Sequence, residues 1–250
     1  MSTVTGCASV PQNYSSSPVV AHPSDIARPI DGYMLTVDEI LTDIEKAEGT
    51  VNDCLASTGV DHQFTFGDPD DLRAFIKSGV EDRKLRGDIW GFFDPASAEE
   101  FGYQRPQPTP VIYVADLPEV SAKKCGHLIQ GDNDPLLSFS YASLPDGGPK
   151  PVFDNENVVQ AIAGWSACMT NEGYTFATPL DPLFSYVQET KPSPRQIAVA
   201  MADLRCKRVT NLIAAVLDAQ VIEDETYILG HEPELRTWRD SISDPSIDTE

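Results

Sequence analysis

The chain has 250 residues, 41% hydrophobic and 23% charged, the balance of a soluble globular body with enough apolar mass for a proper core. Acidic residues outnumber basic ones 39 to 18, a formal net charge of −21, and a surface this negative argues against nucleic acid as a partner. No stretch approaches the roughly 20 consecutive apolar residues that a membrane span requires.

Val4-Thr5-Gly6-Cys7 reads as a lipobox, in which a small residue precedes a cysteine that is lipidated while everything upstream is removed. Residues 1–6 are then the remnant of a signal, and Cys7 is a lipid anchor to the outer face of a cell membrane. Met1 to Gly6 carry neither a basic nor an apolar region, so this reading expects a translation start further upstream. Ser15-Ser16-Ser17-Pro18, Pro23 and Pro29 lack apolar periodicity, and residues 7–31 are expected to be anchor and flexible tether. A single globular domain over 32–240 and an acidic tail over 241–250 complete the expected organisation.

Thr36 with Glu39 makes a capping box, and Val37, Ile40, Leu41, Ile44, Ala47, Val51, Cys54 and Leu55 form one apolar stripe of a helix that stops at Gly59. Gln63–Phe66 reads as a short strand, Pro69–Ser78 as a short helix behind Asp68, and Asp94–Phe101 as another with Pro95 in its first turn. Val111–Val114 is β-branched and aromatic, as a strand would be, and Pro118–Gln130 is expected to be helical and to carry Cys125. A helix over Asn155–Glu172 follows, capped by Asp154 and ended by Gly173, with Val158, Ile162, Trp165 and Met169 as its stripe. A longer helix starts at Ser193, with Gln196 completing a capping box, and its apolar residues recur as far as Val216. Its two apolar sides place it at the centre of the fold. The fold class is therefore mainly α with short strands (α+β).

Apart from Cys7, four cysteines remain, Cys54, Cys125, Cys168 and Cys206, an even number suited to two disulfides in an exported protein. Three connectivities are open. A short internal duplication favours one of them. Cys54-Leu55, Gly59 and Phe64-Thr65-Phe66 in the first half match Cys168-Met169, Gly173 and Tyr174-Thr175-Phe176 in the second, and each is followed by a helix with a further cysteine. Two pseudo-repeated halves closed by Cys54–Cys125 and Cys168–Cys206 would result, each bridge stabilising by roughly 4 kcal/mol at most.

Catalytic candidates are weak. His22, His62, His127 and His231 share no spacing, and His127 stands two residues from Cys125, where helical side chains point apart. Nucleophile-elbow, zinc-protease and phosphate-loop motifs do not occur. Asp132-Asn133-Asp134 and Asp68-Pro69-Asp70-Asp71 offer oxygens but lack the spacing of a calcium loop. Trp90-Gly91-Phe92-Phe93 with Tyr103 could stack on a sugar. No catalytic residue, metal site or cofactor is expected.

Trp165-Ser166-Ala167-Cys168-Met169, Gly173-Tyr174 and Ala202-Asp203-Leu204-Arg205-Cys206-Lys207, with Phe101-Gly102-Tyr103 as a looser element, resemble a group of uncharacterised actinobacterial exported proteins and lipoproteins over about residues 36 to 230. The resemblance implies export and paired cysteines, and it implies no activity. The expectation is a non-catalytic cell-envelope lipoprotein, an accessory subunit or binding partner of a membrane or cell-wall assembly. A ligand-binding module for wall glycan or a small molecule is the alternative.

Overall fold

A computed structural model describes residues 25–60, 64–84, 95–104, 118–129, 140–186 and 191–243. Cys7, His22, His62, Trp90–Phe93, Val111–Val114 and Asp132–Asp134 lie outside these residues, as do 244–250. The elements in order are α1 (Val37–Ser57), α2 (Pro69–Lys84), α3 (Pro95–Phe101), α4 (Glu119–Ile129), α5 (Glu156–Asn171), α6 (Leu180–Tyr186), α7 (Pro194–Val209) and α8 (Leu212–Ser243), with short 3₁₀ turns at Pro29–Tyr33, Tyr141–Ser143 and Pro145–Gly147.

Helix α1 begins at the expected capping box, in which Thr36 accepts from the Glu39 N–H and Glu39 returns to the Thr36 N–H. It packs on α2 and α4. Helix α7 lies between α3 and α5, and α8 runs along α5 and back over the Pro29–Tyr33 turn. The main core gathers Val158, Trp165 and Met169 of α5, Val199, Ala202 and Cys206 of α7, and Leu212 and Val216 of α8. A second cluster joins Ile30 and Met34 to Tyr141, Tyr227 and Leu235. Two more lie along α1, one against α2 and one around Phe64 and Cys125.

Several expectations need correction. No strand occurs among the described residues. At Phe64–Phe66 the reason is local: Asn52 pairs with both the N–H and the C=O of Phe64, and Glu48 accepts from the Phe66 N–H at 2.7 Å. Side chains of α1 thus take the backbone groups that a strand would offer to a neighbour. Helix α2 continues six residues beyond Ser78, to Lys84, because Ile76, Val80 and the buried Arg83 give its last turns a face to pack. The cap of α5 is Asn155, whose side-chain oxygen accepts from the N–H groups of Asn157 and Val158, and not Asp154.

The long third helix is in fact two. Asn211 takes a left-handed conformation (φ 51°), Thr210 bonds back to the Cys206 carbonyl, and α8 begins at Leu212. Ser193 caps α7 as expected, but Gln196 does not turn back to close a box; its side chain is fully buried. The folded body also starts earlier and ends later than expected. Ile26, Arg28 and Ile30 are buried, so 25–31 belong to the body and not to a tether. Residues 241–243 are the last turn of α8, with Ile242 packed against the α1–α2 cluster.

Gly148 holds the turn before α5 in a geometry that only glycine accepts. Its φ is +74°, and a Cβ there would stand 2.2 Å from the Tyr141 carbonyl oxygen. Gly148→Ala should lower stability by about 2–3 kcal/mol in urea unfolding at unchanged m-value.

Candidate functional site

Tyr103, Trp165, Asp203 and Lys207, all named in the sequence pattern, converge on one buried cluster. Asp203 and Lys207 are four apart on α7 and therefore share a face. Their ion pair, 2.8 Å long, lies wholly inside the protein, with side chains 0% and 1% exposed. Trp165, on the facing side of α5, donates its indole N–H to Asp203 Oδ1 at 2.8 Å, and the Tyr103 hydroxyl donates to Oδ2 at 3.2 Å. Gly102, at φ +60°, turns the chain after α3 so that Tyr103 enters the core, where its ring stacks on Tyr186. Burial pushes the Asp203 carboxyl above its ordinary value, against the pull of the Lys207 ammonium and of the two neutral donors. The Tyr103 hydroxyl is raised too, by burial and by the Asp203 charge.

This cluster gathers an acid, a base and hydrogen-bond donors inside the protein. Each carboxylate oxygen already has a partner, and Trp165, Asp203 and Lys207 are all buried. The disulfide Cys168–Cys206 (Cα–Cα 5.6 Å) borders the cluster, one turn from Trp165 on α5 and from Asp203 on α7. Gln196 adds a buried amide with neither polar atom bonded, pressed against Gly102.

A second buried group fastens the chain's first described segment. Arg28 forms a two-pronged pair with Asp224 of α8 and lies 4.2 Å over the ring of Tyr141. Tyr141 donates to Asp31 at 2.6 Å, Gln220 donates to Asp224, and Arg83 donates to the Leu35 carbonyl. Burial presses the Arg28 guanidinium down, but Asp224, Tyr141 and Asp31 together outweigh this and hold its pKa above the ordinary value.

The other candidates fall out as follows. Cys54 and Cys125 are bonded to each other, joining α1 to α4 with Cα–Cα 5.9 Å. Asp68 receives the N–H groups of Asp70 and Asp71, a capping role. Tyr103 is 7% exposed, which leaves no face for a sugar. His231 bonds to Asp146 and to the Tyr227 carbonyl. Among the described residues no three His, Cys, Asp or Glu side chains are placed to hold a metal ion, and no helix is long and apolar enough to cross a membrane. A shallow groove of about 270 Å³ runs along α1 between Leu35 and Lys46, open to solvent and lined by Asp38, Glu39 and Asp43.

The buried pairs were not legible in the sequence, where charged residues default to the surface. The signal was present all the same: Val199, Asp203 and Lys207 follow one another every four residues on a single stripe of α7, with a buried alanine and a buried cysteine beside them. No family model, curated protein or solved structure matches the chain.

Proposed function

We propose that the protein is a non-catalytic cell-envelope lipoprotein, held at the outer face of a membrane by acyl chains on Cys7, and an accessory subunit or binding partner of a membrane or cell-wall assembly. The observation that carries this reading is the use made of the chemistry-bearing side chains. Asp203, Lys207, Tyr103, Arg28 and Asp224 are all consumed by internal, sealed pairings. The paired cysteines suit an oxidising compartment. The glycan-binding alternative loses Tyr103 as a stacking surface.

Membership of the actinobacterial exported group is part of the same proposal, and the packing gives it a physical rationale. Trp165, Cys168, Met169, Ala202, Asp203, Cys206 and Tyr103 are neighbours in one core, so the shared pattern is a recipe for folding and not for catalysis. We also infer that the two cysteine-bearing units are pseudo-repeats. Asn52 and Ser166 each stand two residues before a cysteine, and each binds the backbone of the segment that follows its helix, at Phe64 and Phe176. Leu55 and Met169, each just after that cysteine, are both fully buried.

Growing cells with a clickable fatty acid tests the anchor. The wild-type protein should be labelled and partition into detergent, and Cys7→Ala should lose nearly all label. Equal labelling of the two proteins would remove the lipoprotein reading. Purification from detergent extracts should then bring down the same membrane or wall component in repeated preparations.

A further inference from the structure

We propose that His231 and Asp146 form a proton-set latch that fastens the bend of α8 to the Pro145–Gly147 turn, closed in acid and loosened above neutrality. Helix α8 breaks its regular geometry at His231 (φ −131°, ψ 17°), two residues before Pro233, which cannot donate a backbone hydrogen bond. At this bend the imidazole ring faces two acceptors. Nδ1 is 2.9 Å from the Tyr227 carbonyl oxygen and Nε2 is 3.2 Å from Asp146 Oδ2.

A neutral imidazole has one N–H and can satisfy only one of them, so with Asp146 ionised the arrangement is that of the imidazolium ion. The proton comes from solvent, which reaches the ring at 28% exposure. The hydrogen bond to the Tyr227 carbonyl, and then Asp146 and Glu234, raise the His231 pKa. The groups facing the ring are Asp146 from the turn and Tyr227 and Glu234 from α8. The Tyr227 ring stacks on the imidazole at 4.4 Å, and its hydroxyl, pushed up to about 12, stays protonated throughout and donates to the Pro145 carbonyl.

The turn is built to respond. Asp146 sits in the left-handed region (φ 50°), a conformation that L side chains seldom hold without help. The same segment begins with Tyr141, which covers Arg28, so the latch borders the clasp on the first described residues. A group whose pKa is raised by folding contributes stability that is full below its unfolded value and fades as pH climbs through the folded value. The latch therefore tightens as pH falls, opposite to the usual acid loosening of carboxylate pairs.

Hydrogen exchange of the full chain, corrected for intrinsic rates, tests this at the hydrogen-bonded amides of Gly147 and Gly148. Protection should fall roughly threefold between about pH 5.5 and about pH 8 in the wild type, and should be flat in His231→Gln and in Asp146→Asn. A flat wild type, or the same slope in both variants, overturns the latch. Proton NMR of the His231 ring gives a second reading on the unaltered protein: its midpoint should lie above the ordinary ~6.5, and a midpoint at or below that value overturns the latch as well.

Discussion

Asp203→Ala should destabilise the protein by about 3–5 kcal/mol, the range for removing one member of a buried ion pair. The loss has three parts. Lys207 loses the Asp203 carboxylate at 1% exposure, the Trp165 indole loses its acceptor, and the Tyr103 hydroxyl loses the oxygen it donates to. Against a domain stability of about 5–15 kcal/mol, the variant would sit close to unfolding at room temperature. Urea unfolding followed by the loss of helical circular dichroism measures it. The companion Asp203→Leu/Lys207→Met removes the buried ammonium together with the carboxylate, and should recover part of the loss but not the hydrogen bonds from Trp165 and Tyr103. A cost below about 1 kcal/mol for Asp203→Ala would show that the cluster is wetter than its geometry indicates.

Opening the Cys168–Cys206 bridge should cost more than opening Cys54–Cys125, the reverse of what loop length alone dictates. The bridges span 38 and 71 residues, for which the chain-entropy model gives about 4 kcal/mol each and a difference of only about 0.6 kcal/mol in favour of the longer loop. Surroundings outweigh so small a margin. Cys206 is fully buried one turn from both Asp203 and Thr210, and replacing it leaves a void beside the ionic cluster. Cys125 is fully buried too, but in a smaller cluster, with Val51, Leu55 and Phe64. Paired Cys→Ala variants compared by chemical denaturation under oxidising conditions decide the order. If Cys54→Ala/Cys125→Ala is the less stable of the two, loop entropy dominates and the coupling of the second bridge to the cluster is slight.

Helix starts were legible because capping is local chemistry. Thr36 and Ser193 act within three residues, and nothing distant can change that. The disulfide pairing was legible for a different reason, the matching Cys-to-Gly spacing in the two halves and the further cysteine that follows each. The break between α7 and α8 was hidden because apolar residues recur on both sides of Thr210-Asn211, and periodicity alone cannot distinguish a continuing helix from two that share a core. The supposed tether was misread for a different reason. Pro29 looks like a breaker, yet here it opens a 3₁₀ turn whose Ile30 is fully buried, held by a partner in the last fifth of the chain. The same long reach hid the role of Arg28.

That reach bears on the order in which the molecule can be made. Arg28 meets Asp224 across 196 residues, and Glu39 meets Arg239 across 200. During synthesis at about 5–20 residues per second, the first segment waits on the order of 10–40 s before its partners exist. Until then Ile30 and Met34 lack Tyr227 and Leu235, the part of their cluster that α8 supplies. The last helix is thus the closing stitch, and a chain cut short before it would leave its beginning unfastened. A polypeptide delivered across a membrane head first would complete its fold only after its far end had arrived.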